Sequence, residues 1–240
     1  MENLLSLTSA LQSDIPALIR IHMSAFENDN AARLMFKSKE DYEQKLLGML
    51  TSQIRDPKSS VIKAVSTSTS TNEILGWLGC EWIGYPALDS SVSASDGPAK
   101  ALAAGEPKPA PGERTLRSVM RAHFARVQEE WMAGKQYIHI GTAVTHPSHQ
   151  RKGVGSALVR WATSQADRDG VPCWIQSSPV AHGVYYHCGF RDVGRLEMDL
   201  REFAPGGREG KMGWGGYEFV YMLRLPDTKK EEEVVSVTEA

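Results

Sequence analysis

Apolar and polar positions along the chain change period several times, and each change marks an element. Residues 4–8 alternate as a short strand. The segment after them carries Ile15, Leu18, Ile19, His22 and Met23 on one helical face, with Ser13 or Asp14 as cap and Pro16 in the first turn. A second helix is predicted over 39–53, where Tyr42, Leu46, Leu47 and Leu50 share a face ahead of Pro57. Residues 61–65 and 74–83 read as strands joined by the Ser/Thr-rich loop 66–71. From 86 to 112 the chain turns to Ala, Pro, Ser and Gly with few large apolar residues, which predicts a flexible excursion. A helix over 113–133 follows, with Leu116, Met120, Phe124, Val127 and Trp131 on one face and Gly134 suited to its end. Then come a strand over 137–144, a turn over 145–150, and a helix from Arg151 to about Arg168, on which Val154, Ala157, Leu158, Trp161 and Ala162 line one side. Asp169-Gly170 and Pro172 stop that helix before a strand over 173–177. A short helix over 180–188 and strands over 190–198 and 214–225 complete the pattern. The charged segment 227–240 has no core pattern and is expected to be a disordered tail.

The chain has 240 residues, enough to bury a sizeable core, and the simplest organisation is one elaborated domain over 1–226 with the excursion at 86–112 inserted in it. With 27 basic and 29 acidic residues, the net charge is -2, so no broad positive field draws nucleic acid or an anionic membrane, and an anion site must be local. Cys80, Cys173 and Cys188 are far apart and form no CxxC, which suits a reducing compartment. No stretch has the 18 or more apolar residues that span a bilayer, so the expected location is cytoplasmic, with the nucleus also open.

The most informative chemistry lies at the start of the 151–168 helix. A helix N-terminus offers unpaired backbone N–H groups and the positive end of the macrodipole. In Gln150-Arg151-Lys152-Gly153-Val154-Gly155 the glycines let an anion approach while Arg151 and Lys152 add positive charge. The same residues also suit a tight strand-to-helix connection. Neither GxxxxGK[ST] nor a GxGxxG with an acidic ribose contact is present, which removes most support for nucleotide hydrolysis and dinucleotide redox chemistry.

What remains is Val144-Thr145-His146-Pro147 followed by Gln150-x-x-Gly153-x-Gly155, and farther on Ile175-Gln176-Ser177-Ser178-Pro179 and Val184-Tyr185-Tyr186-His187-Cys188-Gly189-Phe190. These two ordered blocks resemble the signature of the GNAT superfamily of acetyl-CoA-dependent N-acetyltransferases over roughly a quarter of the chain. The resemblance implies an α/β (α+β) fold with a central mixed, mostly antiparallel, splayed sheet of about six or seven strands and helices on both faces. It also implies that acetyl-CoA is the co-substrate. Ala143 and Val144 would offer backbone groups to pantetheine, and the backbone of Arg151, Lys152, Gly153, Val154, Gly155 and Ser156 would hold the pyrophosphate. Gln150 would shape the loop, and Ser178 would contact the cofactor or a water, or else cap the next helix.

Amide formation from a thioester needs a neutral amine and a donor for the leaving sulfur. Tyr185, four residues before Gly189-Phe190, matches the family tyrosine and is assigned as that donor. Many family members carry a glutamate base on the strand before the phosphate loop; this chain has none between Lys135 and Gln150. His139 occupies that strand and is the first choice of base, with Glu81 on an earlier strand, or a water chain, as the alternatives. A one-residue bulge would turn His139 to the wrong face. The missing glutamate also fits a non-catalytic acyl-CoA-binding module. No zinc spacing joins the histidines, so no metal is expected, and Cys188 reads as a buried, inert thiol. The acceptor is either a small-molecule amine, favoured because no extended acidic cleft is evident, or a peptide. Its contacts are expected from 8–30, 86–133 and 201–217, in a monomer or homodimer.

Overall fold

The computed structural model describes residues 5–68, 72–86, 115–207 and 213–227. Most of the 86–112 excursion, the residues beyond 227 and part of the 66–71 loop therefore lie outside the described residues. Among those described, the strands are β1 (Leu5–Ser9), β2 (Ser59–Ser66), β3 (Ile74–Ile83), β4 (Tyr137–Thr145), β5 (Cys173–Ser177), β6 (Arg191–Asp199) and β7 (Gly216–Arg224). The α-helices are α1 (Ile15–Ala25), α2 (Asn30–Met35), α3 (Lys39–Arg55), α4 (Leu116–Met132), α5 (Val154–Asp169) and α6 (His182–His187).

All seven strands join one sheet in the order β1-β2-β3-β4-β5-β7-β6. Every neighbouring pair is antiparallel except β4 and β5, which are linked through α5 as a parallel crossover needs. The expected mixed, mostly antiparallel sheet is thus present. Strand alternation sends Leu78, Cys80, Ile138, Ile140 and Ile175 to one face, where they pack against Val154, Leu158, Val159 and Ala162 of α5 and Tyr185 of α6. The opposite face has two apolar clusters. α1 and α3 cover Val61, Trp77 and Val144, while α4 covers Tyr137, Trp174, Phe219 and Tyr221.

Local sequence explains most boundaries. Ser38 accepts a hydrogen bond from Asp41 N at the start of α3, and Thr115 and Ser118 cap α4 reciprocally. Gly170, at φ +66°, ends α5, and the Asp167 carboxylate beside it takes a bidentate bond from Arg224 at 2.7 and 2.9 Å, pinning the helix end to β7. The short α2 has too few turns for a clear periodic signal and was not expected. Asp29 caps it, accepting from Ala32 N at 2.7 Å.

Candidate active site

β4 and β5 share only three paired positions, Ile138↔Cys173, His139↔Trp174 and Ile140↔Ile175. Beyond them β4 stays with β3 as far as Thr145↔Gly76, while β5 follows β7 as far as Ser177↔Val220. The two strands therefore part, and the edge of β4 from Gly141 to Thr145, including Ala143 and Val144, faces an opening instead of a ladder partner. The divergence starts at a bulge: Cys80 pairs with Ile140 and Gly79 with Thr142, which leaves Gly141 with no partner on β3. Gly141 is exposed although Ile138, Ile140 and Val144 of the same strand are buried. An exposed glycine in mid-strand leaves this part of the sheet uncovered among the described residues, a floor open to solvent.

Two titratable groups stand over that floor. A β-carbon placed on Gly141 would lie 3.8 Å from Glu81 Oε1 and 3.8 Å from His139 Cε1. Glu81 and His139 are directly opposed across β3 and β4, and the bulge falls after His139, so His139 keeps its register and shares the face of Glu81. Burial acts on both and moves them in opposite directions. The Glu81 carboxyl, only 5% exposed, is pushed up to about 7, against a hydrogen bond from Gln53 that lowers it. His139, packed 5.6 Å from the Phe124 ring, is pushed down to about 4 and is neutral at pH 7.

The phosphate turn departs from expectation in one respect. α5 begins at Val154, not Arg151, because Arg151 (φ +58°) and Gly153 (φ +83°) are both left-handed. The preceding residues 147–149 form a 3₁₀ turn within the turn expected over 145–150. Left-handed residues at 151 and 153, just before the unpaired first turn of α5, give the backbone the form of a nest. Ala157 N is the first to find a helical carbonyl, that of Gly153, at 2.9 Å. The turn is braced by Lys152 Nζ on Ser148 O (2.8 Å), Gln150 Nε2 on Thr145 O (3.4 Å) and His149 Nε2 against Glu73 Oε1 (3.2 Å). A β-carbon on Gly155 would sit 3.4 Å from Thr145 Oγ1 and 3.9 Å from Val184, at the place where β4, α5 and α6 converge.

Tyr185 lies on the α5 side of the sheet, its ring edge-on to Phe190 at 5.7 Å, and burial raises its hydroxyl pKa well above the ordinary 10. It does not meet His139. The two are on opposite faces, with the β4–β5 opening between them. Ser178 lies half-buried at the end of β5, and Ala181, without a side-chain bond, is the N-cap of α6, so Ser178 does not cap that helix. Cys188 is buried and its thiol pushed up, which disfavours a nucleophilic thiolate. Among the described residues, no three His, Cys, Asp or Glu side chains gather as a metal site, and no helix is long and apolar enough to cross a membrane.

On the Glu81 face, Tyr217 Oη donates to Asp29 Oδ2 at 2.6 Å, and the Arg33 guanidinium lies 5.3 Å from the Trp214 ring. These contacts tie the α1–α2 corner to the start of β7. Sequence reasoning placed contacts broadly in 8–30 and 201–217 but did not single out Gln53, Asp29 or Tyr217, whose roles depend on partners remote along the chain.

Residues 120–190, which hold β4, the nest, α5, β5 and Tyr185, match the model of the Acetyltransferase (GNAT) family. That segment is the one that carries the two sequence blocks resembling the GNAT signature. The acetyl donor of that family is acetyl-CoA. The chain is 24% identical over 201 residues to an acetyltransferase of Stachybotrys chartarum, covering 80% of this chain and 83% of that protein. Arylalkylamine N-acetyltransferase 2 of Aedes aegypti shares the fold with a TM-score of 0.60 at 11% identity, over 94% of this chain and all (100%) of that one. A putative acetyltransferase of Salmonella typhimurium, solved with its cofactor acetyl-CoA, does so with a TM-score of 0.51 at 14% identity, over 95% and 97% of the two chains.

Proposed function

We propose that this protein transfers the acetyl group of acetyl-CoA to the primary amine of a small molecule by direct attack within the β4–β5 opening. The observation that carries the reading is the exposed Gly141 floor, with Glu81 and His139 above it on one face and Tyr185 on the other.

The residues present fit the donor. The nest and first turn at Arg151, Lys152, Gly153, Val154, Gly155 and Ser156 suit a pyrophosphate, and the absence of a side chain at Gly155 keeps the approach between Thr145 and Val184 open. The unpaired edge at Ala143 and Val144 suits the amides of a pantetheine arm, which pair as a strand would. Gln150 shapes the turn, and Ser178 follows the end of β5. When bound, acetyl-CoA supplies a thioester carbonyl open to amine attack.

An alkyl ammonium with a pKa of about 10 must lose a proton before it attacks. Glu81, with a carboxyl near 7, takes that proton at neutral pH, and His139, neutral under the same conditions, accepts a hydrogen bond from the amine or from an intervening water. The structure thus favours Glu81 over His139 as the base and leaves His139 an orienting role. Tyr185 remains protonated because burial raises its pKa, and it donates to the departing sulfur. The walls on the Glu81 face, the tied α1–α2 corner and the α4 helix, favour a short acceptor over an extended peptide.

Calorimetric titration with acetyl-CoA and CoA, on the wild type and on Gly155→Glu, tests the cradle; a panel of primary amines then tests transfer. Wild-type binding that the variant loses, followed by acetylation of an amine in the panel, is the expected result. A folded wild type that binds neither ligand overturns the reading.

A further inference from the structure

We propose that Gln53, on α3, is a positioning residue that holds the Glu81 carboxylate toward the Gly141 floor. The inference rests on the reading of Glu81 as the proton acceptor, and it follows from how two buried polar side chains and two glycines are arranged.

Gln53 is 2% exposed and the only buried polar side chain of α3. Its amide donates to Glu81, while its own Oε1 is buried without a partner. The amide is therefore held by its donor end alone. An orphaned buried acceptor is unfavourable, and an apolar side chain would fill the same volume between α3 and the sheet without it. The surroundings are also shaped to admit the amide: a β-carbon at Gly79 would lie 2.9 Å from Gln53 Oε1 and 3.4 Å from Nε2. Gly79 and Gly141, flanking the bulge, thus open adjoining spaces, one filled by the Gln53 amide and one left to solvent. Glu81 lies between them, bonded to the first and with Oε1 beside the second.

Other groups around Glu81 do not take this role. Asp56, just past the end of α3, raises the carboxyl by its own negative charge. Tyr137 on β4 bonds Gln128 of α4 through its hydroxyl. Cys80, the adjacent residue on β3, is a thiol raised to well above its ordinary value, and His139 is neutral. Gln53 is the group identified as donating to the carboxylate, and a donor to a carboxylate favours its ionised form.

The test is a pH titration of the full-length protein labelled with ¹³C at the glutamate side-chain carboxyl, the Glu81 resonance being identified by its loss in Glu81→Gln. A midpoint near 7 is expected in the wild type. Gln53→Met, which keeps the volume and removes the donor, should move it up by about one unit, and the isosteric Gln53→Glu, which adds a like charge, farther still. Gly79→Ala leaves Gln53 in place but presses on its amide and should shift the midpoint in the same direction. A purely structural Gln53 would alter stability and leave the midpoint alone. An unmoved midpoint in folded Gln53→Met and Gln53→Glu overturns the proposal. Wild-type acetyl-CoA turnover by Glu81→Gln across the amine panel overturns the base assignment instead, a result separable from the first.

Discussion

Glu81 and His139 face each other across β3 and β4, and desolvation drives both toward their neutral forms, raising the carboxyl pKa and lowering that of the imidazole. The pH dependence follows. If Glu81 must be ionised to accept the proton, kcat/KM should fall as pH drops through about 7, with no limb from His139 until pH reaches about 4. Glu81→Gln should lower kcat/KM by roughly 10²–10⁴-fold, flatten that limb and leave acetyl-CoA binding intact; pH–rate profiles with calorimetry check all three. Tyr185 lies on the other side of the opening. Tyr185→Phe removes one oxygen from a buried ring, so the fold and the acetyl-CoA Kd should hold while kcat falls about 10²-fold, read by single-turnover acetylation. A variant with unchanged kcat would make Tyr185 a core aromatic and nothing more.

At the scale of elements, the strand-to-helix turn is governed by two left-handed residues. Arg151 at φ +58° is unusual for a residue with a β-carbon, while Gly153 at φ +83° is the residue type that tolerates it. Nothing lies within 4 Å of a β-carbon built on Gly153, so Gly153→Ala strains the backbone without a clash. It should cost about 1–2 kcal/mol of stability, measured by denaturant unfolding, and weaken acetyl-CoA binding as the nest distorts. Displacement of the α5 start from Arg151 to Val154 has the same origin. Periodicity locates the apolar face of a helix but is blind to the handedness of the residues before its first turn. The end of α5 was legible, because Gly170 with Pro172 after it is a strong stop signal. α2 was not, since six residues carry little periodicity and its position depends on Asp29 bonding Tyr217 across 188 positions.

For the whole molecule, the buried titratable groups Glu81, His22 and His139 make stability depend on pH. Glu81 has a folded pKa near 7 against an ordinary value of 4.5, so the folded state binds the proton more tightly than the unfolded one. Its contribution is most favourable below about pH 4.5 and is lost as pH rises to about 7, by at most about 3 kcal/mol. Glu81→Gln should therefore be more stable than the wild type at pH 8, by about 1–3 kcal/mol, and nearly equal to it at pH 5, in paired denaturant titrations. The histidines act in the opposite sense. His22 and His139 have folded pKa values lowered to about 3 and about 4, so stability from keeping them neutral is present above 6.5 and drains away as pH falls.

The sequence by itself determined the strands and most helices, the GNAT-like blocks from Val144 to Phe190, and the place of Tyr185 within them, because these depend on local periodicity, turn chemistry and spacing within one stretch of chain. Tertiary structure decided the bulge at Gly141, the parting of β4 from β5, the opposition of Glu81 and His139 on one face, and the burial of Gln53 beside Glu81. Each of these depends on register between strands or on burial of one group by another far away in sequence. An acidity is a property of the surroundings, and Glu81 acquires its own from α3 and β4, neither of which is visible in the residues beside it.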